Sequence, residues 1–370
     1  ASPTTSATNG SGIASTSWTL GSSPGGQSLD ASAGGAGSVT FGATAEAGAA
    51  ANIAIQSGNS QTGTVGQALT NPLQVLVTDA LGNPVSGASV SWSPDPGDGS
   101  AGPTTSATNG SGIASTSWTL GSSPGSQSLD ASVGGAGSVT FSANAQAGAP
   151  ANIVIQSGNN QSGTVGQALG SPLQVLVTDS ENNPLSGVTV SWSPDPGDGT
   201  ASPTTSATNG SGIASSSWTL GSSPGGQSLD ASAGGAGSVS FGATAQAGAA
   251  ANIVIQSGNN QSGTVGQALT NPLQVLVTDA LGNPVSGATV SWSPDPGDGS
   301  ASPTTSATNG SGIATTSWTL GSSPGGQSLD ASTSGAGSVT FGATAEAGAP
   351  ANVAVQSGNN QTGTVGQALS

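Results

Sequence analysis

The chain has 370 residues and a formal net charge of −16, built from 16 carboxylates with no Lys, Arg or His. Without cations there is no side-chain salt bridge and no surface to neutralise phosphates, so nucleic acid is not a partner and an anionic membrane surface is unfavourable. Cys, Met and Tyr are absent as well, which excludes disulfides, and the missing His and Lys leave a serine nucleophile without its usual base.

The sequence repeats every 100 residues. "ANIAIQSG", "ANIVIQSG", "ANIVIQSG" and "ANVAVQSG" begin at 51, 151, 251 and 351, and 51–150 differs from 251–350 at 12 of 100 positions. A unit of this size is one ordinary domain. The expected organisation is the C-terminal half of a repeat at 1–50, full repeats at 51–150, 151–250 and 251–350, and the N-terminal fragment of a further repeat at 351–370. Both termini fall inside a unit and there is no initiator Met, so a window on a longer array is expected. No apolar run approaches the ~20 residues of a membrane span, and no membrane insertion is expected within it.

In chain order, repeat 251–350 opens with "NIVIQS" and "TVGQAL", which read as two short edge pieces of a split first strand. "PLQVLVTD" alternates with period two, placing Leu273, Val275 and Val277 on one face. "GNPVSG" is a turn, and "GATVSWS" then points Val290 and Trp292 inward. "SPDPGDGS" has two prolines and two glycines and is expected to be a loop throughout. "GIATTSWTL" puts Ala314, Thr316, Trp318 and Leu320 on one face. After the turn "GSSPGG", "QSLDAS" offers Leu329 and Ala331 inward with Asp330 outward, and "SVTFGATA" offers Val339, Phe341, Ala343 and Ala345.

Seven or eight short strands with turn signals every 8–12 residues predict an all-β fold: tandem immunoglobulin-like antiparallel β-sandwiches of about seven strands each. The predicted core aromatics are Trp92, Trp118, Trp192, Trp218, Trp292 and Trp318 with Phe141, Phe241 and Phe341. Trp292 and Trp318 are expected to face each other across the two sheets. Repeats join through segments such as "ATAEAGAPANV", too short for a loose tether, with Pro150 and Pro350 stiffening two of them. The expected shape is an extended rod of beads, each contacting mainly its neighbours and advancing roughly 35–45 Å.

The residues "PLQVLVTDALGNPVSGATVSW", "TTSATNGSGIATTSWTLG", "QSLDAS" and "VTFGATA" resemble the bacterial immunoglobulin-like repeats of the invasin and intimin type, found in tandem in large bacterial surface proteins. The core of the likeness is Val277, Asp279, Gly282, Asn283, Pro284, Val285 and Gly287. It covers essentially the whole chain, and it implies a β-sandwich, an extracellular location at the cell surface and a spacer or adhesin role. Repeat 151–250 departs from the pattern with Asn182 in place of the usual Gly, and Asn tolerates left-handed backbone nearly as well. Adhesins of this family end in a distinct tip domain, and no such tip stands here, so the likeness names no surface target.

No enzymatic function is expected: the close carboxylate pair of Asp295 and Asp298 is stamped into every full repeat. The same positions, Asp95, Asp98, Asp195, Asp198, Asp295 and Asp298, are calcium candidates, being carboxylates in oxygen-rich, glycine-containing loops. The other reading is that they are turn formers bonding their own backbone; no cofactor other than calcium is indicated. Asn9, Asn109, Asn209 and Asn309 fit the N-x-S/T acceptor pattern, as do Asn160, Asn260 and Asn360. Three functions follow: a stiff structural protein serving as a stalk on a bacterial surface; a self-assembling helical filament or sheath in which other copies of the chain are partners; and an avidity binder of polysaccharide or ice through Thr/Ser-rich faces such as "TTSAT".

Overall fold

The computed structural model describes residues 1–368 and is all β. Among the described residues no helix is long and apolar enough to cross a membrane. Repeat 251–350 contains β1 (Asn252–Ser257), β2 (Gln261–Thr264), β3 (Leu273–Thr278), β4 (Thr289–Pro294), β5 (Ser300–Ser302), β6 (Thr305–Ala307), β7 (Ile313–Thr319), β8 (Gly325–Thr333) and β9 (Gly337–Glu346). Repeats 51–150 and 151–250 carry the same nine strands.

Two sheets form in each full repeat. One has the order β1-β3-β7-β5 and is antiparallel throughout. The other has the order β2-β9-β8-β4-β6, with only the β2–β9 pair parallel. The alternation of apolar residues decides which face each strand buries: Leu273, Val275 and Val277 are 0% exposed while their intervening neighbours are half-buried. The two inner faces enclose one core, centred on Trp292 and Phe341 from one sheet and Trp318 from the other. The six tryptophans of the full repeats are 0–3% exposed, and Phe141, Phe241 and Phe341 are 0%. An aromatic side chain buries about 150–250 Å², roughly 4–6 kcal/mol of hydrophobic stabilisation before entropy is counted.

Three details differ from the sequence reading. The split first strand continues as Gln261–Thr264 rather than as "TVGQAL", because Gly258 turns the chain earlier: its φ is +87°, and a Cβ there would stand 2.4 Å from the Pro272 carbonyl oxygen. The "SPDPGDGS" stretch is not wholly a loop. Ser293 and Pro294 end β4, paired with Asp330 and Leu329, and Ser300 begins β5; the ladder stops at Pro294, which has no N–H to extend it. The three-residue strands β5 and β6 on either side of Pro303 bring the count to nine.

Trp292 and Trp318 share the core from opposite sheets, but the ring that Trp292 meets is Phe341, with centroids 6.0 Å apart and planes tilted by 48°. The reason lies in register. Leu329 on β8 pairs with Pro294 on one side and Phe341 on the other, which brings the two aromatics together over one sheet. Trp318 Nε1 instead donates to the Asp298 carbonyl at 2.8 Å, and Trp292 Nε1 to Ser306 Oγ at 2.9 Å. Among the described residues no buried side-chain polar atom lacks a partner, which is what a core this dry requires.

The strands of residues 1–50 are those of the hairpin Gly25–Ala33 with Gly37–Ala45, beside a single bridge between Ser2 and Ser17, and Phe41 is 56% exposed. Residues 351–368 form no strand.

Candidate functional site

The motif that carries the resemblance builds the ends of the beads. Asp279 follows β3, and its chain turns back at once: Gly282 N donates to the Asp279 carbonyl at 3.1 Å and Asp279 N to the Asn283 carbonyl at 2.9 Å. Gly282 has φ +86–87° in the two repeats that carry it, and Asn182 holds the same place at φ +66°. The Asp279 side chain closes this turn, with Oδ1 accepting from Leu281 N at 2.9 Å and Asn283 N at 2.8 Å. Its second oxygen reaches outward. Oδ2 accepts from Asn283 Nδ2 at 3.0 Å and from Gly248 N, in the connecting segment, at 2.9 Å. Asn283 then donates from the same Nδ2 to the Ser222 carbonyl of the preceding repeat at 2.8 Å.

This clamp recurs at the junctions before residues 51 and 151. Gly148 N meets Asp179 and Gly48 N meets Asp79, both at 2.9 Å. Asn183 reaches Ser122 and Asn83 reaches Ser22, both at 2.8 Å. Asn252 Nδ2 adds a bond to the Asp279 carbonyl at 3.1 Å, and Ala251 N one to the Thr278 carbonyl at 2.8 Å, so the linker is bonded along its length. A second contact lies beside it. A Cβ built on Gly166 of one repeat would stand 3.6 Å from Leu281 Cδ1 of the next, and one on Gly66 3.4 Å from Glu181 Oε1.

The clamp aspartates are 0–2% exposed yet have no cation beside them. Hydrogen bonds hold their charge instead. The Asn83 side chain and the Gly48 N–H, followed by further backbone donors, lower the Asp79 carboxyl to about 2. For Asp179 and Asp279, burial pushes the carboxyl up, but the donors from Asn183 and Gly148, and from Gly248 and Asn283, outweigh it and leave both lowered.

The calcium candidates are arranged differently. Asp295 and Asp298 converge on one residue of β8: Ser328 N donates to Asp298 Oδ2 at 2.8 Å, and Ser328 Oγ donates to Asp295 Oδ2. Asp198 and Asp98 accept the same bond from Ser228 and Ser128, and Asp195 and Asp95 the same hydroxyl. The loop also presses backbone to backbone on the strand end behind it. Gly299 has φ +97°, and a Cβ there would fall 1.9 Å from the Thr319 carbonyl oxygen. Each carboxylate pair thus straps its loop to its own sandwich. A shallow open depression of about 410 Å³ beside Asp195 and Asp198 is lined by Ser228, Gln227, Asn160 and Thr244. Among the described residues no three acidic side chains gather into one group.

Sequence reasoning placed Asp279 in the core of the resemblance, just before the "GNPVSG" turn, and missed its hold on Gly248, as it missed the reach of Asn283 to Ser222. The available signal was Asp and Asn four apart in every repeat, always with an Ala-Gly-Ala linker 30 residues upstream.

Residues 66–147 match the family model of the bacterial Ig-like domain, group 1. No curated protein matches the chain. Among solved structures, the Escherichia coli adhesin FdeC is similar over 80% of this chain and 99% of its own, at 20% identity and a TM-score of 0.42. Invasin, a bacterial integrin-binding protein, is similar over 80% of this chain and 60% of its own, at 17% identity and a TM-score of 0.39. The I67–I69 fragment of the titin I-band is similar over 81% of this chain and 100% of its own, at 15% identity and a TM-score of 0.37.

Proposed function

We propose that this array, whose 51–150 repeat is a bacterial Ig-like domain and whose other full repeats are near copies of it, is an extracellular structural protein: a stiff stalk at a bacterial surface. The observation that supports this reading is the junction clamp, repeated three times with the same partners and nearly the same distances. A stalk works by keeping its two ends apart. Rotation at each joint would defeat that, and a carboxylate bonded to both linker and turn restrains it. The partners of each repeat are then its neighbours, and the surface target belongs to whatever the stalk presents. The composition fits the same setting: no Lys or Arg bond is offered to trypsin-like proteases and no Cys or Met to oxidants.

The near-identity of the repeats favours a second arrangement, in which one lateral contact recurs along a multi-chain filament. Electron microscopy of the native material separates the two. A stalk is a single string of beads ~20–30 Å wide, with one bead per roughly 40 Å. A thicker fibre with helical order would replace the stalk with the filament.

A further inference from the structure

The two sets of N-x-S/T triplets have different structures. In the first, Asn309 lies in the exposed connection between β6 and β7, and its Oδ1 accepts from Ser311 N at 2.9 Å and Ile313 N at 3.1 Å. The same pair of bonds forms at Asn209 and Asn109, and again at Asn9. One end of each amide is therefore fixed to backbone, while Nδ2 has no partner among the described residues and faces solvent. In the second set, the triplet runs into a strand. Asn260 has φ +57° and donates its N–H to the Gly342 carbonyl at 2.9 Å, and Ser262 is paired with Thr344 inside the β2–β9 ladder. Asn160 and Ser162 are held the same way.

A transferase must grip the Asn amide and the hydroxyl two residues on at the same time. In the first set the turn already draws Ser311 to within one hydrogen bond of the Asn309 side chain, on an exposed loop. In the second set the residues from Ser262 onward belong to a ladder, where residues two apart are about 7 Å from each other, and gripping them means breaking sheet pairs.

We propose that Asn109, Asn209 and Asn309 are acceptor sites for asparagine-linked sugar and that Asn160 and Asn260 are not. The donor is a sugar esterified through its anomeric carbon to a phosphate or pyrophosphate carrier. Nδ2 forms a bond to that carbon, the carbon–oxygen bond to the carrier breaks with its electron pair leaving on the phosphate oxygen, and one amide proton passes to a base of the transferase. This rests on the extracellular reading, since it requires the chain to meet a sugar-transferring enzyme on its route or at its destination. The consequence is one glycan per bead at the same height, a hydrated collar that would hold neighbouring stalks apart.

The sequence makes the test direct. Cleavage at aspartates isolates Asn109 between Asp98 and Asp130, and Asn160 between Asp130 and Asp179, with no other acceptor triplet in either piece. The full array, isolated from cells that make it, is digested in this way and weighed by mass spectrometry. The expected result is a mass excess of whole sugar units on the Asn109, Asn209 and Asn309 pieces and none on the Asn160 and Asn260 pieces. The excess on the Asn109 piece should vanish in Asn109→Gln and in Ser111→Ala. The second variant keeps the Ser111 N–H and hence the turn, so its loss of sugar does not report misfolding. Bare pieces throughout, sugar that persists in both variants, or sugar on the Asn160 and Asn260 pieces instead would overturn the proposal. Antibody labelling of the intact cells keeps the two readings apart: a bare array outside the cell refutes the glycan sites alone, and a bare array inside refutes the extracellular reading too.

Discussion

Asp279 and Asp298 belong to the same repeat, and both sit in turns beside glycines and carbonyl oxygens. Their bonds go to different places. Asp298 and its companion Asp295 bond to Ser328, a residue of their own sandwich. Asp279 bonds to its own turn with one oxygen and to the linker with the other, and its partner Asn283 continues to the preceding repeat. The first arrangement folds a bead, and the second joins two. In a chain without cations, both are done by neutral N–H and O–H donors, so neither depends on an ion pair that salt would screen.

The bead-folding arrangement fails most severely if the loop loses its close approach. Gly199 has φ +95°, and a Cβ there would fall 1.9 Å from the Thr219 carbonyl oxygen. Gly199→Ala is expected to destabilise its repeat by about 4 kcal/mol or more, read as early unfolding of one bead in a urea titration of the whole array. Asp179→Ala comes next. It strands donors at Gly148, Glu181 and Asn183, at an expected cost of about 1–3 kcal/mol. Its sharper effect is mechanical: the two flanking beads stay folded while the angle between them spreads, seen as a shorter maximum dimension in small-angle scattering.

Acid titrates the same clamp. A lowered folded pKa means that the carboxylate form favours the folded junction. Its contribution is complete above the ordinary value of 3.8 and is lost as pH falls towards about 2 at Asp79, with Asp179 and Asp279 shifted in the same direction. Scattering profiles should superpose from pH 7 down to about 4 and change only below it. A transition near pH 6 would argue against these carboxylates as the clamp.

Asp198→Ala should cost less, about 0.5–1.5 kcal/mol, because Trp218 Nε1 bonds the backbone carbonyl of residue 198 and keeps it after the substitution. It should leave the angle between beads unchanged. Smallest of all is Asn182→Gly, expected to shift stability by only a few tenths of a kcal/mol, since glycine adopts the φ of +66° without cost in the folded turn.

The sandwich was legible in the sequence because burial has period two on a strand. Leu273, Val275 and Val277, or Ala314, Thr316 and Trp318, announce their face without help from any other segment. The short strands β5 and β6 had no such pattern, being three residues each and rich in Ser and Thr. The Trp292–Phe341 contact was hidden for another reason: it depends on the register of three strands, which no single stretch encodes. The junction was half visible. Asn283 read as a turn residue from local chemistry, with Asp279 just before it, but the bonds to Gly248 and Ser222 span 31 and 61 positions and follow only from the stacking of one bead on the next.

In the proposed stalk each clamped junction is held in one geometry by its aspartate. With no native Cys, single spin labels can be placed at the exposed equivalent positions Ser132 and Ser232 by substitution to Cys, and the distance between them measured by pulsed electron resonance in the full array. A narrow distance distribution that broadens in the Asp179→Ala background is the predicted result. A distribution already broad in the parent array, or one that stays narrow without Asp179, would contradict it.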